Sequence, residues 1–156
     1  MIDGCDGTGK SSVCEKLANE LNCNIIRLTK NGPRAVESYK YLMNANNVVH
    51  DRSFISELIY SKYFEKDVEL SSQEILTLWR IIRYLPINFF ILTANNEEIY
   101  KRISLRGDEF IKDAEIFKKI NDEYRTFAKC NEVTLIDTTN KSIDEVVKEI
   151  RSYIDE

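Results

Sequence analysis

One histidine and four cysteines, at positions 5, 14, 23 and 130, are all the soft metal-ligand material in this chain, and they form neither a C-x-x-C pair nor a Cys/His cluster. A zinc site is not expected on that ground. Free thiols in a reducing compartment are expected, buried except for Cys5, whose place in a glycine-rich loop predicts access to it. Prolines number 2 and glycines 5, too few for a linker, a repeat array or a disordered tract, so residues 1–156 are expected to form one domain. Positive charge is scarce as well. Lys and Arg total 22 against 26 Asp and Glu, for a net charge of −4 and a pI near 5.2. Duplex nucleic acid, which is bound by releasing counterions from a basic surface, is therefore not an expected partner. The longest apolar run, LPINFFILTA, is about half of the ~20 residues that span a bilayer. No signal-peptide pattern opens the chain, so a cytoplasmic protein with no membrane partner is expected. What remains is 43% apolar and 31% charged, enough for a core that buries roughly 70% of the unfolded chain's surface.

Strand and helix patterns alternate along that core. After the opening loop, SSVCEKLANEL places Val13, Leu17 and Leu21 at helical spacing, so a helix begins at Lys10 or Ser11. NIIRLTK reads as a strand ended by Asn31-Gly32-Pro33, and a helix is predicted over residues 35–45. NNVVHDRS is a short strand followed by the helical segment ISELIYSKYF. SSQEILTLWRIIRYL opens with Ser71 or Ser72 as N-cap and Glu74 as its capping-box partner. INFFILTA is continuously apolar, as a parallel strand covered on both faces must be. NEEIYKRISLRG and EIFKKINDEYRTFAK are helices, VTLIDTT a strand, and SIDEVVKEIRSYI a closing amphipathic helix. This alternation predicts an α/β fold of three layers, αβα, around a parallel sheet of about five strands.

The stretch GCDGTGKSS, residues 4–12, matches the whole phosphate-loop pattern Gly4-x-x-x-x-Gly9-Lys10-Ser11. Glycines let backbone N–H groups turn inward around the phosphates, and the following helix aims its positive end at them. Gly4, Gly7, Thr8, Gly9, Lys10, Ser11 and Ser12 are the candidate ATP-phosphate ligands, with Lys10 supplying charge and Ser11 a hydroxyl for Mg²⁺. Only residues 1–3 precede the loop, so its leading strand is expected to be short.

Asp3-Gly4-Cys5-Asp6-Gly7-Thr8-Gly9-Lys10-Ser11-Ser12 resembles the EGxDGxGKS/T loop of the thymidylate kinase family. Asp51-Arg52-Ser53-x-x-Ser56-x-x-x-Tyr60 resembles that family's DRYxxSxxAY segment, and Arg102-x-x-x-Arg106-Gly107-Asp108-Glu109 falls where its arginine-bearing lid lies. The resemblance runs in order through most of the chain, which is similar to the short forms found in phages. It implies a P-loop kinase fold with a short lid, ATP and a deoxynucleoside monophosphate as the small-molecule partners, and Mg²⁺ as cofactor. A homodimer is among the states it permits.

Phosphoryl transfer between two anions asks for cations and in-line positioning more than for covalent chemistry. The resemblance makes Arg52 the grip on the acceptor phosphate, and Arg102 and Arg106, one turn apart, catalytic arginines closing over the transferred group, or else a solvated helix face. Asp51 would join Ser11 in holding Mg²⁺. Asp6 would accept a hydrogen bond from the acceptor's 3′-hydroxyl, or else stabilise the turn. Tyr60 would fill the space of a ribose 2′-hydroxyl, or else pack as core, and Ser56 would line the same pocket. Arg34 is a further acceptor candidate, and Tyr39 or Tyr41 a base-stacking one, because the segment carrying the family's base-reading residues is reduced here to NGPRAVESYKYLMNANN. His50 reads as a strand-end residue, and Asp137-Thr138-Thr139-Asn140 as an adenine edge or a turn into the last helix. Three functions remain open. They are a kinase of dTMP or dUMP, a deoxynucleoside kinase with an acid at position 51 as base, and a nucleotide-binding regulator without transfer activity.

Overall fold

The computed structural model describes residues 1–28, 47–64, 70–106 and 114–155; of Arg106 and Ala114 it describes the backbone alone. The predicted helix over 35–45, with Arg34, Tyr39 and Tyr41, and the residues Gly107, Asp108 and Glu109 lie outside the described residues.

The elements, in order, are β1 (Ile2–Gly4), α1 (Lys10–Leu21), β2 (Asn24–Arg27), β3 (Val48–Asp51), α2 (Phe54–Tyr60), α3 (Ser72–Ile82), β4 (Phe90–Thr93), α4 (Asn96–Arg106), α5 (Ala114–Asn131), β5 (Thr134–Asp137) and α6 (Ile143–Ile154). The five strands form one parallel sheet in the order β2-β3-β1-β4-β5, the expected αβα architecture. β1 has three residues and still occupies the centre, its Ile2, Asp3 and Gly4 in register with Phe90, Ile91 and Leu92 on one side and Ile2 with Asp51 on the other.

Alternation of side chains across the strands divides the core in two. Ile2, Val49, Phe90, Leu92 and Ile136 meet Val13, Leu17, Val146 and Ile150 from α1 and α6. Ile91 and Ala94 meet Phe54, Trp79, Ile99, Ile120 and Tyr124 from α2 to α5 on the opposite face. Every residue of β4 is buried, as its unbroken apolar sequence predicts. Both α3 and α6 start with complete capping boxes, Ser71 with Glu74 and Ser142 with Glu145. Each such cap stabilises its helix by about 1 kcal/mol. β5 ends earlier than VTLIDTT suggests, because the Asp137 carboxylate accepts from the Thr139 N–H and hydroxyl and closes a turn.

The cysteines need a correction. Cys5 is fully buried, its thiol 3.5 Å from Phe117 O and pushed up to about 12 by burial, whereas Cys130 is the exposed one. The loop turns the Cys5 side chain into the core while its carbonyl faces inward.

His50 is buried near the strand end, and burial, then the N-terminal ammonium, pulls its imidazole down to about 4. An unfolded chain binds that proton near pH 6.5, so stability is expected to fall as pH drops from 6.5 toward 4, by on the order of 2–3 kcal/mol at the end of that window. Thermal melts of the wild type and His50→Gln across this range check the sign. The variant should lack this part of the slope, and equal slopes would mean a solvated ring.

Candidate active site

β1 ends at Gly4, and Gly9, in a left-handed conformation (φ 88°), is the N-cap of α1 and offers no side-chain cap. The first N–H groups of α1 are left for an anion, with the helix's positive end behind them. Inside the loop, Cys5 O accepts from the Lys10 Nζ (2.7 Å) and from the Thr8 hydroxyl (2.7 Å). Thr8 therefore spends its side chain on the loop itself, and Lys10 lies folded back across it. Lys10 is 5% exposed; burial first, and the Arg52 charge second, pull its ammonium below the ordinary lysine value, while Asp6, 3.8 Å away, opposes them.

Arg52 follows β3 in a left-handed conformation (φ 76°), which a residue with a Cβ adopts at a cost of roughly 1–2 kcal/mol. Its N–H donates to Ile2 O (2.9 Å), tying the bend to the central strand. The guanidinium lies over the Tyr60 ring at 5.0 Å, donates to Asp6 and approaches Ser56 Oγ at 3.4 Å. The Tyr60 hydroxyl donates to Asp6 Oδ2 (2.9 Å) and accepts from the Asp6 N–H (3.1 Å). Burial would raise the Asp6 carboxyl, but Lys10, Arg52 and the Tyr60 hydroxyl together hold it below its ordinary value. Residues expected to touch phosphate, sugar and donor are thus joined by Asp6. Asp6, Gly7, Gly9, Lys10, Ser11 and Arg52 line one cleft. A larger cavity of about 320 Å³, bounded by Trp79, Phe89, Phe90 and Tyr153, opens at the other end of the sheet and holds no motif residue.

Ser11 is exposed in the first turn of α1, and Ser12 behind it is half-buried. Asp51, at the end of β3, lies toward α1, where burial first and the Asp51 charge second push the Cys14 thiol up, and Arg27 lies 3.4 Å from the Asp51 carboxylate. Among the described residues no group of three or more His, Cys, Asp or Glu side chains could hold a metal ion. Of the two candidate Mg²⁺ ligands, Ser11 lines the cleft and Asp51 is buried outside that lining; Mg²⁺ that arrives with nucleotide phosphates keeps waters and takes few protein ligands.

Arg102 sits behind the loop. Its guanidinium donates to Glu98 (2.9 Å), Gly7 O (3.3 Å), and the hydroxyl (3.0 Å) and carbonyl (2.9 Å) of Thr138. Thr138, beyond β5, reaches Thr8 O at 3.1 Å and Thr93 O at 3.0 Å through its hydroxyl. Arg102 and Thr138 together brace the outer carbonyls of the loop. Arg106 is the last residue of α4.

Two residues here escaped the motif reading. Asp3 is fully buried under the loop, and Tyr124 reaches it from α5 across 121 positions. Asp3 stands in the loop motif and was legible as a place; nothing local singles out Tyr124.

A thymidylate kinase family model matches residues 29–150. The SPbeta prophage-derived uncharacterized protein YorR of Bacillus subtilis is 31% identical over 96% of this chain and 94% of its own. A probable thymidylate kinase of Methanococcus vannielii is 25% identical over 96% and 91%. The crystal structure of Bacillus subtilis YorR in complex with phosphorylated GDP superposes with a TM-score of 0.78 at 26% identity, covering 99% of this chain and 94% of that one. With its phosphate loop, its parallel sheet and this match over most of its length, the chain belongs to the thymidylate kinase family and is an ATP-dependent nucleoside monophosphate kinase.

Proposed function

We propose that this kinase transfers the γ-phosphoryl group of ATP to the phosphate of a pyrimidine deoxynucleoside monophosphate, dTMP or dUMP, with residues 1–156 working as one domain. The observation that carries this reading is the single cleft in which Lys10 of the phosphate loop and Arg52 converge on Asp6. Loop N–H groups and Lys10 hold the β and γ phosphates of ATP, and Ser11 and Asp51 would be the residues to hold Mg²⁺, which would supply charge neutralisation there. Arg52 takes the acceptor phosphate with its planar fork, exchanging Asp6 for the substrate's oxygens. Asp6, released from Arg52, accepts from the sugar 3′-hydroxyl, while Tyr60 stays beside it and closes the 2′ side. Ser56 supports this pocket from below. Arg102 secures the donor side by bracing the loop, and Arg106 and Arg34 complete the charge around the two substrates. A monophosphate acceptor is already ionised, so no general base is needed.

A coupled ATP-consumption screen over the deoxynucleosides, their monophosphates and the matching ribonucleotides tests the assignment. Guanine nucleotides belong in the screen because YorR was crystallised with phosphorylated GDP. Turnover is expected with dTMP or dUMP; turnover with free nucleosides in place of monophosphates would overturn the reading. Arg52→Ala should weaken monophosphate binding on the order of 10- to 100-fold, the worth of a charge-assisted bidentate contact, and leave ATP affinity within about threefold.

A further inference from the structure

Asp3 is the most deeply buried charged side chain among the described residues, at 0% exposure. A carboxylate so enclosed is stable only if donors surround it. Gly4 N (2.8 Å), Ser56 Oγ (2.7 Å) and the Tyr124 hydroxyl (2.8 Å) lie at Oδ1, and Ser53 N (3.0 Å) and Ser53 Oγ (2.6 Å) at Oδ2. Ser56 and Tyr124 are also 2.9 Å from each other. The donors come from the phosphate loop, the β3–α2 turn, α2 and α5. One carboxylate joins four segments.

Two of these donors belong to Ser53, the residue that follows Arg52. The Arg52 N–H is bound to Ile2 O and the next N–H, of Ser53, to Asp3 Oδ2, so two successive donors are pinned to β1 on either side of the left-handed residue. A strained conformation persists only when its surroundings over-determine it. Ser56, held by Asp3, is in turn the oxygen beside Arg52 Nη1 at 3.4 Å. Asp3 does not line the cleft.

We propose that Asp3 is a positioning residue for the acceptor, holding Arg52 in its left-handed bend so that the guanidinium faces the cleft, with Tyr124 as the distant clamp on that carboxylate. The inference rests on the assignment of Arg52 to the acceptor phosphate.

Asp3→Asn replaces one acceptor oxygen by a donor facing other donors, and Tyr124→Phe removes one hydroxyl while keeping the ring. Each variant, alone and combined with Arg52→Ala, is titrated calorimetrically with the monophosphate that the screen identifies and with ATP, and thermal melts are run alongside. Asp3→Asn is expected to weaken monophosphate binding on the order of 10-fold, and Tyr124→Phe about 3-fold, with ATP binding changed less than about 3-fold. In the Arg52→Ala background neither should weaken it further. Multiplicative losses in the double variants, or equal losses for both ligands, would reduce Asp3 to a structural group and overturn the proposal. If Asp3→Asn does not fold, the Tyr124→Phe cycle decides alone. If Arg52→Ala by itself leaves monophosphate binding intact, it is the acceptor assignment that fails, and this inference goes with it.

Discussion

Gly4→Ala is expected to yield little or no folded protein, although it adds one methyl group. A Cβ on Gly4 would stand 2.2 Å from the backbone oxygen of Leu92 and 3.1 Å from its carbonyl carbon, and the residue has φ +142°, which L side chains rarely adopt. The obstructing atoms are backbone, and they belong to the strand paired with Gly4 in register. β1 cannot retreat either, because β3 lies on its other side. Relief requires separating two central strands, so a cost above about 4 kcal/mol is expected, against a total stability of roughly 5–15 kcal/mol. Gly9→Ala is the control. Its φ is 88° with no atom within 4 Å of a Cβ, so backbone strain of about 1–2 kcal/mol is all that applies to folding. Soluble yield and thermal unfolding of the two variants check this order, and a Gly4→Ala protein melting within a few degrees of wild type would contradict the close approach of β1 and β4.

Lys10→Met should behave in the opposite way, leaving the fold intact and removing the activity. The Lys10 ammonium is buried at a desolvation cost and rests on a single backbone carbonyl, with Asp6 at the longer distance of 3.8 Å. Methionine keeps the apolar stem and removes the charge, so the melting temperature should stay level or rise slightly. Chemistry has no such substitute. In the proposed reaction the lysine supplies a cation at the phosphates, and losing one such fixed donor is expected to cost on the order of 10²–10³ in kcat. Turnover with saturating ATP and monophosphate, measured beside a thermal melt, separates the two effects. Turnover within tenfold of wild type would exclude Lys10 from the reaction.

Residues that answer to their near neighbours were legible from sequence. The phosphate loop is one, since glycine spacing, a lysine and a helix start all act within nine positions. Ser71 with Glu74, and Ser142 with Glu145, are others, because a capping box closes within one turn. β4 announced itself by being apolar throughout. Arg102 was legible as an arginine in a lid-like motif but not as to its target; it was expected over the transferred group or in solvent, and its guanidinium is engaged by Glu98, Gly7 and Thr138. Cys5 was misjudged because loop membership says nothing about which way a side chain turns. Asp6 and Arg52 were each read as contacts to a different part of one substrate, and their pairing with each other, 46 positions apart, had no local signature.

The amino-acid sequence by itself determined that a phosphate-binding loop opens a parallel α/β sheet, because backbone conformation, helix capping and hydrophobic period are local properties that neighbouring residues settle. The tertiary structure alone decided that Ser53, Ser56 and Tyr124 meet at Asp3 beside Arg52. β1 lies between β3 and β4 in the sheet, so side chains 50 to 121 positions apart meet on one buried carboxylate. Contacts across that separation are created by strand order and register, and these arise only when the two faces of the sheet are covered.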